Sequence, residues 1–327
     1  MSKLVTIFGG SGFVGRYVAR RMAKAGWRVR VAVRRPNEAI FVKPYGVVGQ
    51  VEPVLCNIRD DASVATAMAG ADAVMNCVGI LAEDSNNKFG SVQVDGATRV
   101  ARIAADRGIS TLVHISAIGA DAASHSEYAQ TKAQGEEGVL TYMPSAVILR
   151  PSIIFGPEDQ FFNRFAGMTN LGPVLPVVGA GTKFQPVYVD DVAKVAEKAL
   201  TGAVAPGVYA LGGPDVASFE DLMQTMLGTI HRRRLVMNIP FFAARIMAWG
   251  FDTMQAASMG LIRNGMITRD QVRNLANDNV VGPDEKGFAD LGIKPASLDA
   301  VLPEYLWRFR PSGQYDAMKR SAKNLRP

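Results

Sequence analysis

The sequence predicts a doubly wound α/β fold: a parallel sheet with helices on both faces, joined to a smaller C-terminal lobe and an extended tail. Three observations carry this. The apolar run Leu4-Val5-Thr6-Ile7-Phe8 leads directly into Gly9-Gly10-Ser11-Gly12-Phe13-Val14-Gly15-Arg16, after which Val14, Val18 and Met22 share one helical face. Short runs rich in Val, Ile and Leu then alternate with helical segments as far as Leu149. Beyond Pro151 the alternation stops, and Gly and Pro become frequent, as in Gly156-Pro157, Gly172-Pro173, Gly179 and Gly181.

The opening segment reads as a strand, a glycine turn and a helix start. In that context Gly9-x-x-Gly12-x-x-Gly15 is a Rossmann-type dinucleotide fingerprint. Glycine at the turn leaves φ unrestricted and lets the backbone approach a pyrophosphate, while the last glycine lets helix and strand pack closely. The phosphates then face unpaired N–H groups at the positive end of the helix. A tight turn without a ligand is the plain alternative.

Further strands are predicted at residues 28–33, 52–56, 73–77, 111–115 and 146–149, with helices at 61–69, 92–107 and 128–142. Continuous apolar runs such as Ala73-Val74-Met75 and Val147-Ile148-Leu149 suit strands buried on both faces. Residues 1–151, completed by roughly 183–212, form the expected nucleotide domain; 152–310 form the second lobe and 311–327 an extended basic tail. Asp190 is expected to cap a helix over 192–200 that returns the chain to the main domain.

Composition narrows the function. The chain has 327 residues, 48% apolar and 20% charged, as an ordinary globular protein does. Cys56 and Cys77 end predicted strands without ligand spacing, so buried reduced thiols are expected. His114, His125 and His231 share no ligand spacing either, and no metal is expected. No apolar stretch is long enough to cross a bilayer, and no targeting segment is expected before the first strand. The net charge of +6 suits an anionic ligand, an acidic partner or a membrane surface, and nucleic acid is not an expected partner.

The end of the second strand selects the nucleotide. An NAD site calls for an acid there, to bond the ribose 2′-hydroxyl. This chain has Arg34-Arg35, with no acid before Glu38. A guanidinium binds a 2′-phosphate that a carboxylate would repel, so NADPH is predicted over NADH, with Arg16 as a further cation. Solvated loop charges are the alternative reading of the arginines. Further along, Tyr128-x-x-x-Lys132 places both side chains one helical turn apart. A nearby ammonium lowers a phenol pKa and supports proton exchange with a carbonyl or alcohol, and Ser116 can bond the same oxygen. The same Tyr and Lys can instead hold the nicotinamide ribose without turnover.

At these residues the chain resembles the extended or atypical short-chain dehydrogenase/reductases. The resemblance runs through the glycine turn, Asn76-Cys77-Val78-Gly79, Tyr128-x-x-x-Lys132, residues 150–157 and Val189-Asp190-Asp191-Val192-Ala193. Within that superfamily, residues 12–18, 77–81, 155–165 and 305–311 look like the family of NADPH-binding accessory subunits of respiratory complex I, across nearly the whole chain. The resemblance implies tight NADPH binding in a structural role, attached to the peripheral arm near the membrane beside other complex I subunits. It also implies cofactor contacts at Gly9, Ser11, Gly12, Phe13, Val14, Gly15, Arg16, Arg34, Arg35, Asn57, Ile58, Cys77, Val78, Gly79, Ile80, Pro151, Ile153 and Ile154. Ser116, Tyr128 and Lys132 stand as vestigial catalytic candidates that also touch cofactor. The start at Met1, without a presequence, looks bacterial, and the expected place of the chain is the cytoplasmic face of a bacterial inner membrane, as part of a complex. Asn57 stands where the superfamily usually has Asp, and Ser116 lies closer to Tyr128 than in many extended members.

Three functions stay open: a non-catalytic NADPH-binding subunit of complex I, a free-standing NADPH-dependent reductase or epimerase using Tyr128 and Lys132, and a nucleotide-sensing regulator. Phe155, Phe161, Phe162 and Phe165 either fill the substrate pocket or form a core cluster. Residues 240–259 are either a second-lobe core helix or an apolar surface for a membrane or membrane subunit. Trp307 and the basic residues that follow, Arg308, Arg310, Lys319, Arg320, Lys323 and Arg326, are expected to be mobile alone and to order on an acidic subunit.

Overall fold

The computed structural model describes residues 2–83, 87–257, 268–315 and 321. Seven parallel strands form the main sheet: β1 (Leu4–Phe8), β2 (Arg28–Val33), β3 (Val51–Leu55), β4 (Ala73–Asn76), β5 (Thr111–Ile115), β6 (Val147–Pro151) and β11 (Gly207–Leu211). Their spatial order is β11-β6-β5-β4-β1-β2-β3. Val5 pairs with Val29 on one side and with Ala73 on the other. The order therefore reverses at β1, and the crevice at its carboxyl end is where such a sheet takes a ligand.

Alternation along each strand divides the core into two layers. Ile7, Val31, Met75 and Leu149 pack with Val18 and Met22 of α1 (Phe13–Lys24) and Val192 and Ala196 of α6 (Val189–Leu200). Phe8, Val74, Leu112 and Ile148 face the opposite layer, with Val64 of α2 (Asp61–Ala67), Val100 of α3 (Asp95–Asp106) and Val139 of α4 (Glu127–Tyr142). Each helix turns its small and apolar residues inward, as a one-faced core requires.

Beyond β6 lie small pairings: β7 (Ile154–Phe155) with β10 (Val187–Tyr188), β8 (Val174–Val178) with β13 (Leu235–Ile239), and antiparallel β9 (Lys183–Phe184) with β12 (Ala217–Ser218). A third apolar cluster joins Phe162 of α5 (Phe162–Met168), Leu222 and Met226 of α7 (Phe219–Thr229) and Leu302 of α10 (Leu298–Leu306). Two further α-helices among the described residues are α8 (Phe241–Ala257) and α9 (Arg269–Asn274).

Several expectations need correction. Asp190 does not cap α6: the helix begins at Val189 after Tyr188, and Asp190 makes a two-pronged pair with Arg21 of α1 at 2.8 and 2.6 Å. Its carboxylate gains more from that guanidinium than from a backbone N–H. A π-helical turn, Gly90–Val94, precedes α3 where a continuous helix was expected. In α8, Ala244 and Ala248 pack into a small apolar cluster with Val178 and Val272, while Phe242, Ile246, Met247 and Trp249 are exposed, so the helix has a core-facing side of small residues and an exposed apolar side. Phe251, Asp252, Met254 and residues 258–259 lie outside the described side chains.

The closing segment also departs from expectation. Trp307–Phe309 and Gly313–Tyr315 are short 3-10 turns. Arg308 donates to Asn163 Oδ1 at 2.6 Å and to the Pro157 carbonyl, and Arg310 donates to the Thr229 carbonyl at 3.0 Å. Both guanidiniums have partners within the chain, so this part of the segment is ordered without a partner. Lys319, Arg320, Lys323 and Arg326 lie outside the described residues. Among the described residues no helix is long and apolar enough to cross a membrane.

Candidate nucleotide site

The site grows from the end of β1. Gly9 turns at φ +73° and donates its N–H to the Ala32 carbonyl, and the Gly12 N–H closes the turn on the Gly9 carbonyl at 2.9 Å. A Cβ at Gly15 would lie 2.4 Å from the Gly9 oxygen and 2.6 Å from Gly10 Cα, so only glycine lets α1 start this close to the strand. Gly12 precedes α1 with no capping side chain, and the first turn holds no acid. The first N–H groups of α1 are left for an anion at the positive end of the helix.

Two adjoining cavities share Gly12, Cys77, Gly79 and Ile80 in their walls. The smaller, about 270 Å³, is bounded by Gly9, Ser11, Val78, Asn57, Ile58 and Arg34, with Arg59 and Asn87. It lies where β2 and β3 end, the adenine side of such a crevice. The larger, about 790 Å³, is bounded by Phe13, Val14, Gly15, Ser116, Tyr128, Lys132, Pro151, Ile153 and Ile154. Most residues singled out in the sequence thus meet on one crevice.

Two of the expected cations do not line it. Arg35 is exposed and pairs with Glu38 at 3.0 Å. Arg16 bends back onto the Ser11 and Gly12 carbonyls, lies over the Phe41 ring and reaches Glu158 at 3.5 Å. Arg34 does line the adenine side, with its guanidinium donating to Asn87 Oδ1 at 2.9 Å. Sequence reasoning missed Arg59 and Asn87 here, and Gln160, Arg164 and the Asn274, Asn277, Asp278 and Asn279 group in the larger cavity. Arg59 directly follows Asn57-Ile58 and was within reach of a local reading; the others come from distant chain.

At the far end, burial governs the chemistry. The Lys132 ammonium donates to the Ile115 carbonyl at 3.2 Å and sits 6.0 Å from the Tyr128 ring centre. Desolvation pulls Lys132 down to about 8. Tyr128 keeps part of its surface open to the cavity, yet loss of water pushes its phenol up to about 12. Burial likewise raises the Cys77 thiol to about 12 and lowers His114 to about 3. At neutral pH, Tyr128 is therefore a protonated donor, and Cys77, half-buried in the wall of both cavities, a protonated thiol. The Ser116 hydroxyl is buried with no hydrogen-bond partner among the described residues, in the wall of the cavity. Such a group calls for a ligand oxygen or nitrogen. The glycine cradle, the uncapped helix and this orphaned hydroxyl together fit a dinucleotide.

The phenylalanines do not fill the pocket. Phe155 and Phe162 are fully buried in the third cluster, whereas Phe161 and Phe165 form cavity wall, with Phe161 stacked on Phe219 at 5.5 Å. Edge and stacked contacts among these rings hold the wall back. Among the described residues no group of His, Cys, Asp and Glu could hold a metal ion.

Residues 5–212 match the NAD dependent epimerase/dehydratase family. The chain is 34% identical over 316 residues to the mitochondrial NADH dehydrogenase [ubiquinone] 1 alpha subcomplex subunit 9 of Arabidopsis thaliana, covering 95% of this chain and 79% of that protein. It is 28% identical over 326 residues to the mitochondrial NADH-ubiquinone oxidoreductase 40 kDa subunit of Neurospora crassa, covering 98% and 83%. The fold is shared with the Bordetella bronchiseptica enzyme WbmG, solved with NAD and UDP, at a TM-score of 0.71, 15% identity and coverage of 97% and 96%.

Proposed function

The chain belongs to the NAD dependent epimerase/dehydratase family and, within it, to the family of complex I alpha subcomplex subunit 9 and 40 kDa proteins; from that premise we propose that it is an NADPH-holding accessory subunit of a respiratory NADH:ubiquinone oxidoreductase, not an enzyme in its own right. The observation that carries this reading is the extent of the similarity. It covers 95% of the chain, well beyond the residues shared with the family at large.

NADPH is preferred because Arg34 lines the adenine side where no acid stands to bond a 2′-hydroxyl. Glu38, the nearest acid in sequence, is engaged by Arg35. Bound there, the nucleotide would bring a hydride-bearing nicotinamide to the far cavity. The chain's own groups hold its ribose: Tyr128 as a protonated donor, Lys132 as a buried cation, and Ser116 as the unpartnered hydroxyl. The subunit stabilises or assembles the peripheral arm, with other complex I subunits as partners, on the cytoplasmic face of a bacterial inner membrane. The exposed apolar side of α8 supports a membrane-proximal contact. Residues 1–151 with 183–212 serve the nucleotide, and 152–310 serve as the second lobe.

A reductase using Tyr128 and Lys132 has one observation in its favour, the open cavity beside Ser116. Tyr128→Phe separates the two readings. The accessory role predicts unchanged NADH:ubiquinone activity of the assembly, with NADPH held less tightly but still recovered. Steady carbonyl reduction by the isolated chain, abolished by Tyr128→Phe, would establish the reductase instead.

A further inference from the structure

The amino terminus of α4 is capped from the other end of the chain. Asp270, in the first turn of α9, accepts from the Ser126 hydroxyl at 2.8 Å, the Glu127 N–H at 2.8 Å and the Tyr128 N–H at 3.2 Å. Ser126 is the helix's own N-cap and accepts the Ala129 N–H at 3.3 Å. One carboxylate thus takes two first-turn N–H groups and orients the hydroxyl that takes a third. A carboxylate at this end of a 16-residue helix is favoured by charge as well as by hydrogen bonding.

The segment carrying Asp270 also crosses the crevice. Arg273 donates to the His125 carbonyl at 3.3 Å, and Asn279 donates to the Ile118 carbonyl at 3.2 Å. Ser152, just past β6, donates to Asn279 Oδ1 at 2.7 Å. Along this stretch, Asn274, Asn277, Asp278 and Asn279 line the same cavity as Tyr128. The segment is therefore tied to the loop after β5, the start of α4 and the end of β6, around the nicotinamide end of the site.

We infer that Asp270 is a positioning residue for Tyr128: it fixes the first turn of α4 and with it the grip on the nicotinamide half of the nucleotide. This rests on the nucleotide reading above and assigns the C-terminal part of the chain a share in that site. Asp270 does not line the cavity, so it acts through Tyr128 and the segment it anchors.

The full-length protein tests this with two ligands. NADPH spans both cavities, whereas 2′,5′-ADP occupies only the adenine side. Asp270→Ala should speed NADPH release about tenfold, the scale of losing charge-assisted hydrogen bonds, with 2′,5′-ADP affinity unchanged. Asp270→Asn, which keeps one acceptor oxygen, should fall between. It also covers the case in which Asp270→Ala fails to fold. Equal weakening of both ligands would mean a general loss of structure, and unchanged NADPH release would mean no positioning role; either overturns the inference. Wild-type protein that binds 2′,5′-ADP and NADPH equally well leaves the nucleotide site standing but removes the nicotinamide grip. Wild-type protein that binds neither refutes the nucleotide reading itself.

Discussion

The Tyr305 hydroxyl donates to the buried carboxylate of Asp159 at 2.5 Å, across 146 residues of chain. Asp159 also accepts the Gly156 and Asn163 N–H groups, at 3.2 and 3.0 Å. These bonds fix the loop that carries Gln160 and Phe161 to the cavity wall. Tyr305→Phe should lower unfolding free energy in urea by about 1–3 kcal/mol, since it leaves a buried carboxylate short of a donor. Burial holds the Asp159 carboxyl above its ordinary range, so its stabilising contribution is full at acid pH and is lost as pH rises through its folded value. Removing the Tyr305 donor moves that loss to higher pH. An unfolding profile unchanged by Tyr305→Phe would show that the bond does not hold the loop.

Gly12 and Gly15 should fail differently when substituted. A Cβ at Gly15 meets backbone at 2.4 Å, which cannot move without separating α1 from β1. Gly15→Ala should cost about 1–3 kcal/mol of stability. Gly12 has φ −68°, and an added Cβ meets only the Gly9 oxygen at 3.0 Å. Gly12→Val should therefore fold, yet fail to retain NADPH, because its side chain occupies the approach to the helix N-terminus. Thermal unfolding of the ligand-free variants, compared with nucleotide content after purification, checks both.

The arginine pair divides in the same way. Arg34→Ala should reduce the preference for NADPH over NADH about tenfold, the scale of one charge-assisted hydrogen bond. Arg35→Ala should change it by less than about twofold, because its exposed pair with Glu38 lies off the crevice. Titration of each variant with both nucleotides measures the ratio.

The sequence made the nucleotide half legible because its signals are local. β1, the glycine turn and α1 follow one another within Leu4–Lys24, and strand burial on both faces leaves unbroken apolar runs. Asp190 was misread because its partner Arg21 lies 169 residues away. The contacts of Arg308 and Arg310 were out of reach for the same reason: Asn163 and Thr229 lie on other helices, and nothing near Trp307 announces them. Asp270 carried no signal at all, since capping α4 from α9 leaves no spacing to find. The sequence pointed to both Arg34 and Arg35, and only the path of the backbone after β2 separates the one that lines the crevice from the one that does not.

Lys132 gives the site a pH signature. Its ammonium is buried and its pKa is drawn down from 10.5 to about 8. The folded state then binds fewer protons than the unfolded chain between these values, so the contribution of Lys132 is present above the unfolded value and lost as pH falls through about 8. Wild type should gain stability relative to Lys132→Met as pH rises across this window, by about 3 kcal/mol in total. Chemical unfolding of both proteins at a series of pH values tests the difference, which cancels the titration of groups they share. A flat difference would show that the ammonium is not desolvated.

The accessory-subunit reading stands or falls on where the chain is found and what it carries. Membranes of the source organism, solubilised in mild detergent and separated by native electrophoresis, should show the chain migrating with NADH:ubiquinone oxidoreductase activity. NADPH should be recovered from that band in an amount equal to the chain. A chain that migrates alone, away from that activity, and consumes NADPH against a carbonyl substrate would contradict it.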